Sequence, residues 1–294
     1  MKDESAAMPK GNDVERLFGR RDALVGMIHL GPLPGAPHYR FSGGLDAVLE
    51  QAVSQGHLLQ AAGFDGIIVE NGGDIPFLRP DQVGPETVAA LAVAVKVLRD
   101  ELRIPIGVNC LANAVEASLA VAMASGASFV RANQWVNAYV ANEGFIEGRA
   151  GEATRYRRAI GAEHVTVWAD VHVKLGSHAI TADRSLVEQA RDAEWFDADA
   201  LIVTGSRLAD PPVLDDVAEV RRASALSLIV GSGVTPANLA TLLPLVDAVI
   251  VGSSLKEGGV WWGAMSEHAV RQIAAARDDR DGRRTGVHLR GSGQ

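Results

Sequence analysis

A single cysteine, Cys110, occurs in the 294 residues of this chain. That excludes an intramolecular disulfide and a Cys-rich zinc site, and it fits a reducing compartment. Aromatic residues are scarce at 5%, so the 47% that is hydrophobic rests mainly on Ala, Val, Leu and Ile, as a parallel sheet packed by small-residue helices requires. No uninterrupted apolar run reaches the roughly 18 residues of a membrane span. The polar Met1–Asn12 segment lacks the apolar core of a signal peptide, so a cytoplasmic location is expected. With a formal charge of −8 and no long basic run before the tail, nucleic acid is not an expected partner. Three catalytic signatures are also missing: a G-x-S-x-G elbow, a Walker loop, and a G-x-G-x-x-G turn after the first strand. The last absence counts against an open dinucleotide-binding sheet.

What is present is an alternation of short aliphatic runs and helical periodicity. Strands are expected at Leu24–Leu30, Gly66–Glu70, Ile104–Cys110, Ser128–Ala132, Val165–Val171, Ala200–Thr204, Leu226–Val230 and Ala248–Val251. Helices fill the gaps, including Pro85–Leu102 with proline in its first turn. Eight such repeats predict one α/β domain, a single (β/α)8 barrel over residues 21–277. A polar extension, residues 1–20, precedes it, with Val14, Leu17 and Phe18 able to dock as a short helix. A charged, disordered tail is expected over 278–294. Asn133–Arg149 reads as a long polar loop carrying Trp135, Tyr139 and Phe145, either a lid or an oligomer contact; a homo-oligomer is expected.

Two glycine/serine turns organise the reading. Ile229-Val-Gly-Ser-Gly-Val234 and Val249-Ile-Val-Gly-Ser-Ser254 each end a strand with backbone N–H groups free to face an anion. Barrels commonly grip phosphate after strands seven and eight. Gly231, Ser232, Gly233, Gly252, Ser253 and Ser254 are therefore the expected phosphate site; short structural turns are the alternative.

Polar residues gather at the strand ends: His29, Glu70, Asn71, Asn109, Arg131, Asp170, His172 and Thr204. On the fifth strand, alternation sends Val165, Val167, Ala169 and Val171 to the helices. Thr166, Trp168, Asp170 and His172 then face the interior, with Lys174 following. Asp170 and Lys174 could act as an acid/base pair, or form a salt bridge closing the mouth. Glu70 could be a general base with Asn71 orienting a hydroxyl, or could pair with Arg131. His29 and His172 are further candidates, although a strand-end histidine is often a core residue. His29, Glu70, Asp170 and His172 together could hold a divalent cation, but no H-x-x-x-H or D-x-D spacing supports it, so no metal or other cofactor is expected. His178 lies on a loop, over the site or simply solvated. Cys110 reads as a buried small hydrophobe, and Trp261 and Trp262 as packing residues. A Schiff base on Lys174 is possible, although that lysine lies past its strand.

With these pieces in place, the sequence resembles the BtpA/SgcQ family. The resemblance rests on Gly26-Met-Ile-His-Leu-Gly-Pro-Leu-Pro-Gly-Ala-Pro37, Asp65-Gly-Ile-Ile-Val-Glu-Asn71 with Asp74-Ile-Pro-Phe77, and Ala169-Asp-Val-His-Val-Lys174. The Val203-Thr-Gly205 and Gly231-Ser-Gly-Val234 turns agree. It implies a barrel of the ribulose-phosphate-binding type. The expected function is an enzyme acting on a small phosphorylated sugar or nucleoside-type compound, by isomerisation, lyase chemistry or glycosidic-bond cleavage. The other expectation is a non-catalytic assembly factor, because one branch of the family is named for photosystem I accumulation.

Overall fold

The computed structural model describes residues 10–41, 43–207 and 209–288, with 280–288 described by backbone alone. After a short helix α1 (Asp13–Phe18), the chain alternates β1 (Ala23–His29), α2 (Gly44–Ala61), β2 (Gly66–Glu70), α3 (Pro85–Glu101), β3 (Ile106–Asn109), α4 (Val115–Ser125) and β4 (Phe129–Ala132). A hairpin follows, β5 (Ala138–Ala141) and β6 (Gly144–Glu147). The alternation then resumes with α5 (Ala150–Ala159), β7 (Thr166–Asp170), α6 (Leu186–Trp195), β8 (Ala200–Val203) and α7 (Leu214–Ala223). It ends with β9 (Ser227–Val230), α8 (Pro236–Leu242), β10 (Ala248–Val251) and α9 (Glu267–His288). The strands β1, β2, β3, β4, β7, β8, β9 and β10 close into one barrel, each neighbouring pair described being parallel. This is the expected (β/α)8 barrel.

Two stretches differ from the sequence reading. The Asn133–Arg149 segment is not all loop: Ala138–Ala141 and Gly144–Glu147 pair as a two-stranded antiparallel sheet outside the barrel. At the other end, α9 runs on to His288, so the charged stretch from Asp278 to His288 is helical; the expected tail beyond it, 289–294, lies outside the described residues. Arg277 is buried and donates to Asp65 Oδ2 at 2.6 Å and to the Gly63 carbonyl at 2.9 Å, tying α9 to the entrance of β2.

Strand alternation divides the core in two. Residues of one parity, such as Leu24, Ile28, Ile67, Val167 and Leu201, pack outward under the helices. Those of the other parity fill the barrel: Ala23, Val25, Met27, Ile68, Phe129, Trp168, Ala200, Ile202, Ile229, Ala248 and Ile250. The interior is thus plugged with side chains, as a closed eight-strand barrel must be. Gly107 makes room there, since a Cβ on it would sit 2.3 Å from the Phe129 ring. That ring stacks on Trp168 with centroids 4.0 Å apart.

The N-terminal helix seals the floor, as the Val14, Leu17 and Phe18 pattern predicted. Asn12 caps it by accepting from the Glu15 amide, and Val14 is fully buried against the floor cluster. Asp13 is buried too, and its Oδ2 accepts from Trp168 Nε1 and Thr166 Oγ1, each at 2.8 Å. A buried carboxylate is tolerated there because its oxygens are satisfied.

Candidate active site at the barrel mouth

The register of the sheet assembles the mouth. His29, Glu70 and Asn109 are aligned partners across β1, β2 and β3, so one parity brings all three to the same interior layer. Arg131 ends β4 and Asp170 ends β7 in the same way. Above them opens a cavity of about 500 Å³. Its lining includes His29, Glu70, Arg131 and Lys174 together with Gly231, Ser232, Gly233, Gly252, Ser253 and Ser254. Ten of the expected site residues therefore meet in one space, and Asn71, Asp170 and His172 do not line it.

Each of the three has a physical reason to be elsewhere. Asp170 makes a two-pronged ion pair with Arg131, Nε to Oδ1 at 3.0 Å and Nη2 to Oδ2 at 2.8 Å, with both side chains buried. Lys174 is not its ion-pair partner, and Arg131 pairs with Asp170 rather than with Glu70. Burial opposes the guanidinium charge, but the Asp170 carboxylate more than offsets it. Asn71 spends its amide on the scaffold: Oδ1 accepts from Leu111 N at 2.7 Å, and Nδ2 donates to Asp74 Oδ2 at 3.0 Å. Asp74 in turn accepts from Leu33 N at 2.8 Å, which pins the proline-rich loop after β1. His172 departs from the alternation because β7 ends at Asp170. Its ring is exposed and stacks on His178, centroids 3.6 Å apart, outside the cavity.

Glu70 is a buried carboxyl of the mouth with no described lysine or arginine in contact. Asn109 Nδ2 donates to its Oε2 at 2.7 Å, and His29 Nε2 lies 3.8 Å from its Oε1. Burial raises its pKa above the ordinary carboxyl range, against the pull of Arg131 and Lys174. A carboxyl held above its ordinary range in this way is suited to acid/base work. His29 is pushed the other way, to about 3, by burial and then by Lys256, Lys174 and Arg131. It is therefore a neutral imidazole at the mouth, not a cationic acid. The Lys174 amine is lowered to about 8, again by burial first and Arg131 second. Cys110 is buried and its thiol is pushed up to about 12, which leaves it inert, as expected. No group of three or more His, Cys, Asp or Glu side chains among the described residues is placed to hold a metal ion.

The two turns line the same cavity. Gly233 has φ +65°, and a Cβ there would meet Pro211 N at 2.1 Å, so only glycine fits between the β8 and β9 loops. The Gly231 amide is already committed to the Val203 carbonyl at 2.9 Å and serves the ladder. Missing a side chain matters more there: its Cβ would fall 3.6 Å from Arg131 Nη2, so the guanidinium reaches the turn. Ser254 Oγ donates to the Val234 carbonyl, which ties the turns together and removes that hydroxyl as a donor to a ligand. The Ser253 and Ser254 amides open a short 3-10 turn over the cavity. Thr235 caps α8 through a reciprocal pair with Asn238.

Some cavity residues had no clear sequence signal. Trp261, expected to be packing, lines the cavity with its ring 5.6 Å from that of His29, while Trp262 is 73% exposed. Tyr139, in the segment expected to be either a lid or an oligomer contact, reaches the cavity from the hairpin with Asn142 and Glu143. In the same segment Trp135 is buried and bonded to the Phe196 carbonyl, and Phe145 is 38% exposed. His178 is not solvated: its ring stacks on Tyr139 and its Nε2 lies 2.8 Å from the Val173 carbonyl.

Comparison with solved structures agrees with the fold. Thiamine phosphate pyrophosphorylase from Pyrococcus furiosus superposes with a TM-score of 0.56 at 15% identity, covering 92% of this chain and 99% of that one. The (S)-3-O-geranylgeranylglyceryl phosphate synthase of Thermoplasma acidophilum, solved with sn-glycerol-1-phosphate, gives 0.57 at 13% identity over 90% and 96%. Sequence relatives are closer. An uncharacterized protein of Pyrococcus furiosus is 38% identical over 80% of this chain and 87% of its own length. The photosystem I biogenesis protein BtpA of Synechocystis is 36% identical over 84% and 85%. No described helix is long and apolar enough to cross a membrane. The BtpA family profile matches residues 20–279, the whole barrel, and the chain belongs to the BtpA family.

Proposed function

We propose that this protein is an enzyme that moves a proton on a small phosphorylated sugar or nucleoside-type compound held at the barrel mouth. One observation carries the reading: the two glycine/serine turns and the Glu70, Arg131 and Lys174 side chains line the same cavity. The Ser232 and Gly233 amides and the Gly252–Ser254 turn bind the phosphate, and Arg131 adds charge beside Gly231. Anchoring the phosphate there orients the reacting carbons toward Glu70. Glu70 is the general acid/base. Lys174 and the Arg131 guanidinium stabilise developing negative charge, and Asp170 holds Arg131 in place. His29 is a neutral partner beside Glu70. The chemistry needs no cofactor. Two structural neighbours named for phosphate compounds, thiamine phosphate and geranylgeranylglyceryl phosphate, are in keeping with the substrate class.

A thermal-shift panel of phosphosugars, nucleotides and inorganic phosphate tests this, because a ligand that binds only the folded state raises the melting midpoint. Gly252→Asp is the matching variant. A Cβ at Gly252 meets nothing nearer than 3.5 Å, so the new carboxylate repels phosphate without a clash, unlike any side chain at Gly233. The midpoint gain should vanish in Gly252→Asp, and a gain that survives unchanged would refute the phosphate assignment. A second reading, an assembly factor that keeps the barrel, is favoured by the name of the Synechocystis relative. Flat melting curves across the whole panel would support it instead.

A further inference from the structure

Lysine amines are rarely left alone inside proteins, because an unpaired buried charge is costly. Three of the four described lysines follow that rule. Lys10 pairs with Asp197 and Asp199, Lys96 pairs with Asp100, and Lys256 donates to Gln55 Oε1 at 3.3 Å. Lys174, half-buried, has no hydrogen-bond or ion-pair partner among the described residues, although a carboxylate pair would relieve it. The nearest acid on its own segment, Asp170, is taken by Arg131. The amine instead lines the cavity, together with Glu70 and the two glycine/serine turns.

Desolvation beside a second cation is the arrangement that keeps a lysine partly neutral and nucleophilic near physiological pH. Both conditions hold here: burial and Arg131 bring the amine down to about 8. The segment around it is fixed. Val173 packs with Tyr139 and Ile146, and Ser177 bridges to Val140 of the hairpin, so Lys174 is held between two anchored neighbours. An amine that served only as a counter-ion for substrate would be better kept fully charged by its own carboxylate.

We infer that Lys174 is a nucleophile that takes the carbonyl carbon of a phosphorylated ketone or aldehyde as an imine. The inference rests on the reading of this cavity as a phosphate-ester site. In the step, the amine lone pair adds to the carbonyl carbon, and the carbonyl π pair moves onto oxygen. That oxygen then leaves as water, carrying the two protons of the neutral amine, and a C=N bond remains. Glu70, whose charge acts on this amine, ferries the protons from nitrogen to oxygen. Protonated, the imine then draws electrons from the adjacent C–H or C–C bond, with Glu70 accepting the proton released. No oxidant or reductant enters, and water added back restores the lysine.

Borohydride trapping tests this on the full chain. The protein is incubated separately with dihydroxyacetone phosphate, glyceraldehyde 3-phosphate and pyridoxal 5′-phosphate, reduced, digested and mapped by mass spectrometry. The expected result is one borohydride-dependent adduct per chain, on Lys174 and not on Lys256. It should be lost in Lys174→Arg, which keeps the charge and, by circular dichroism, the fold. No adduct at Lys174 with any of the three probes, or labelling spread over several lysines, overturns the proposal. The unphosphorylated counterparts, dihydroxyacetone, glyceraldehyde and pyridoxal, separate it from the phosphate reading. Equal trapping of those would leave the imine standing and remove the phosphate site. A phosphate-induced rise in melting midpoint without any adduct would do the reverse.

Discussion

The floor and the mouth of the barrel are built by the same strands and the same alternation, yet their chemistry is opposite. On β4 and β7 the inward residues run from Phe129 and Trp168 at the floor to Arg131 and Asp170 at the mouth. The lower pair is two stacked rings sealed by α1; the upper pair is a buried ion pair. The floor stabilises by removing apolar surface from water. The mouth carries groups that cost free energy to bury, namely Glu70, Arg131, Asp170 and Lys174. Spending stability at one end of a cylinder is sustainable because the other end buries a cluster of large apolar side chains.

That contrast can be broken by substitution. Glu70→Gln should show the largest effect, a loss of roughly 10²–10⁴-fold in turnover of whichever phosphate ester raises the melting midpoint, with the fold unchanged by circular dichroism. At the floor, Trp168→Ala should cost about 3–5 kcal/mol in urea unfolding and leave phosphate binding by the remaining folded protein intact. A floor variant that weakened binding would show the two ends to be coupled. Arg131→Met should cost a similar 3–5 kcal/mol, because it strands the Asp170 carboxylate in the interior. Adding Asp170→Leu should recover most of that stability but none of the phosphate binding, since the penalty belongs to the unpaired charge.

The smallest expected effect concerns pH. The folded-state pKa of Lys174 is depressed, so the unfolded chain binds the extra proton between about 8 and the ordinary lysine range. The amine therefore opposes folding fully below about 8, and the opposition fades as pH rises toward that ordinary range. Lys174→Met should melt higher than the native protein at pH 7, with the gap closing by pH 10; a gap independent of pH would mean that the amine is not depressed. Glu70 works in the opposite direction. Its raised value makes its contribution complete below the ordinary carboxyl range and lost as pH climbs through the folded value.

Much of the scaffold was legible because period-2 and period-3.6 patterns are local. Gly66–Glu70 and Ala248–Val251 read as strands from their aliphatic runs and are strands in the structure. The outward parity of Val165, Val167, Ala169 and Val171 was equally visible. The β5–β6 hairpin was not, because its residues alternate weakly and six of its eight are at least partly exposed, so no apolar face announces it. His172 misled for a related reason: alternation holds only while the strand lasts, and the chain turns after Asp170. The D-I-P-F and L-P-G segments carried the family resemblance, yet Asp74 and Leu33 serve to hold loops together.

The sequence by itself determined the barrel, its inward and outward faces, and the set of polar residues at the strand ends. Alternation and turn chemistry are properties of neighbouring residues, and the chain order already contains them. Only the tertiary structure decided how those polar residues pair. Arg131 and Asp170 lie 39 positions apart in the chain and meet because β4 and β7 are adjacent strands. That one pairing leaves Glu70 and Lys174 without a countercharge in contact, because a buried guanidinium can satisfy a single carboxylate with both prongs at once.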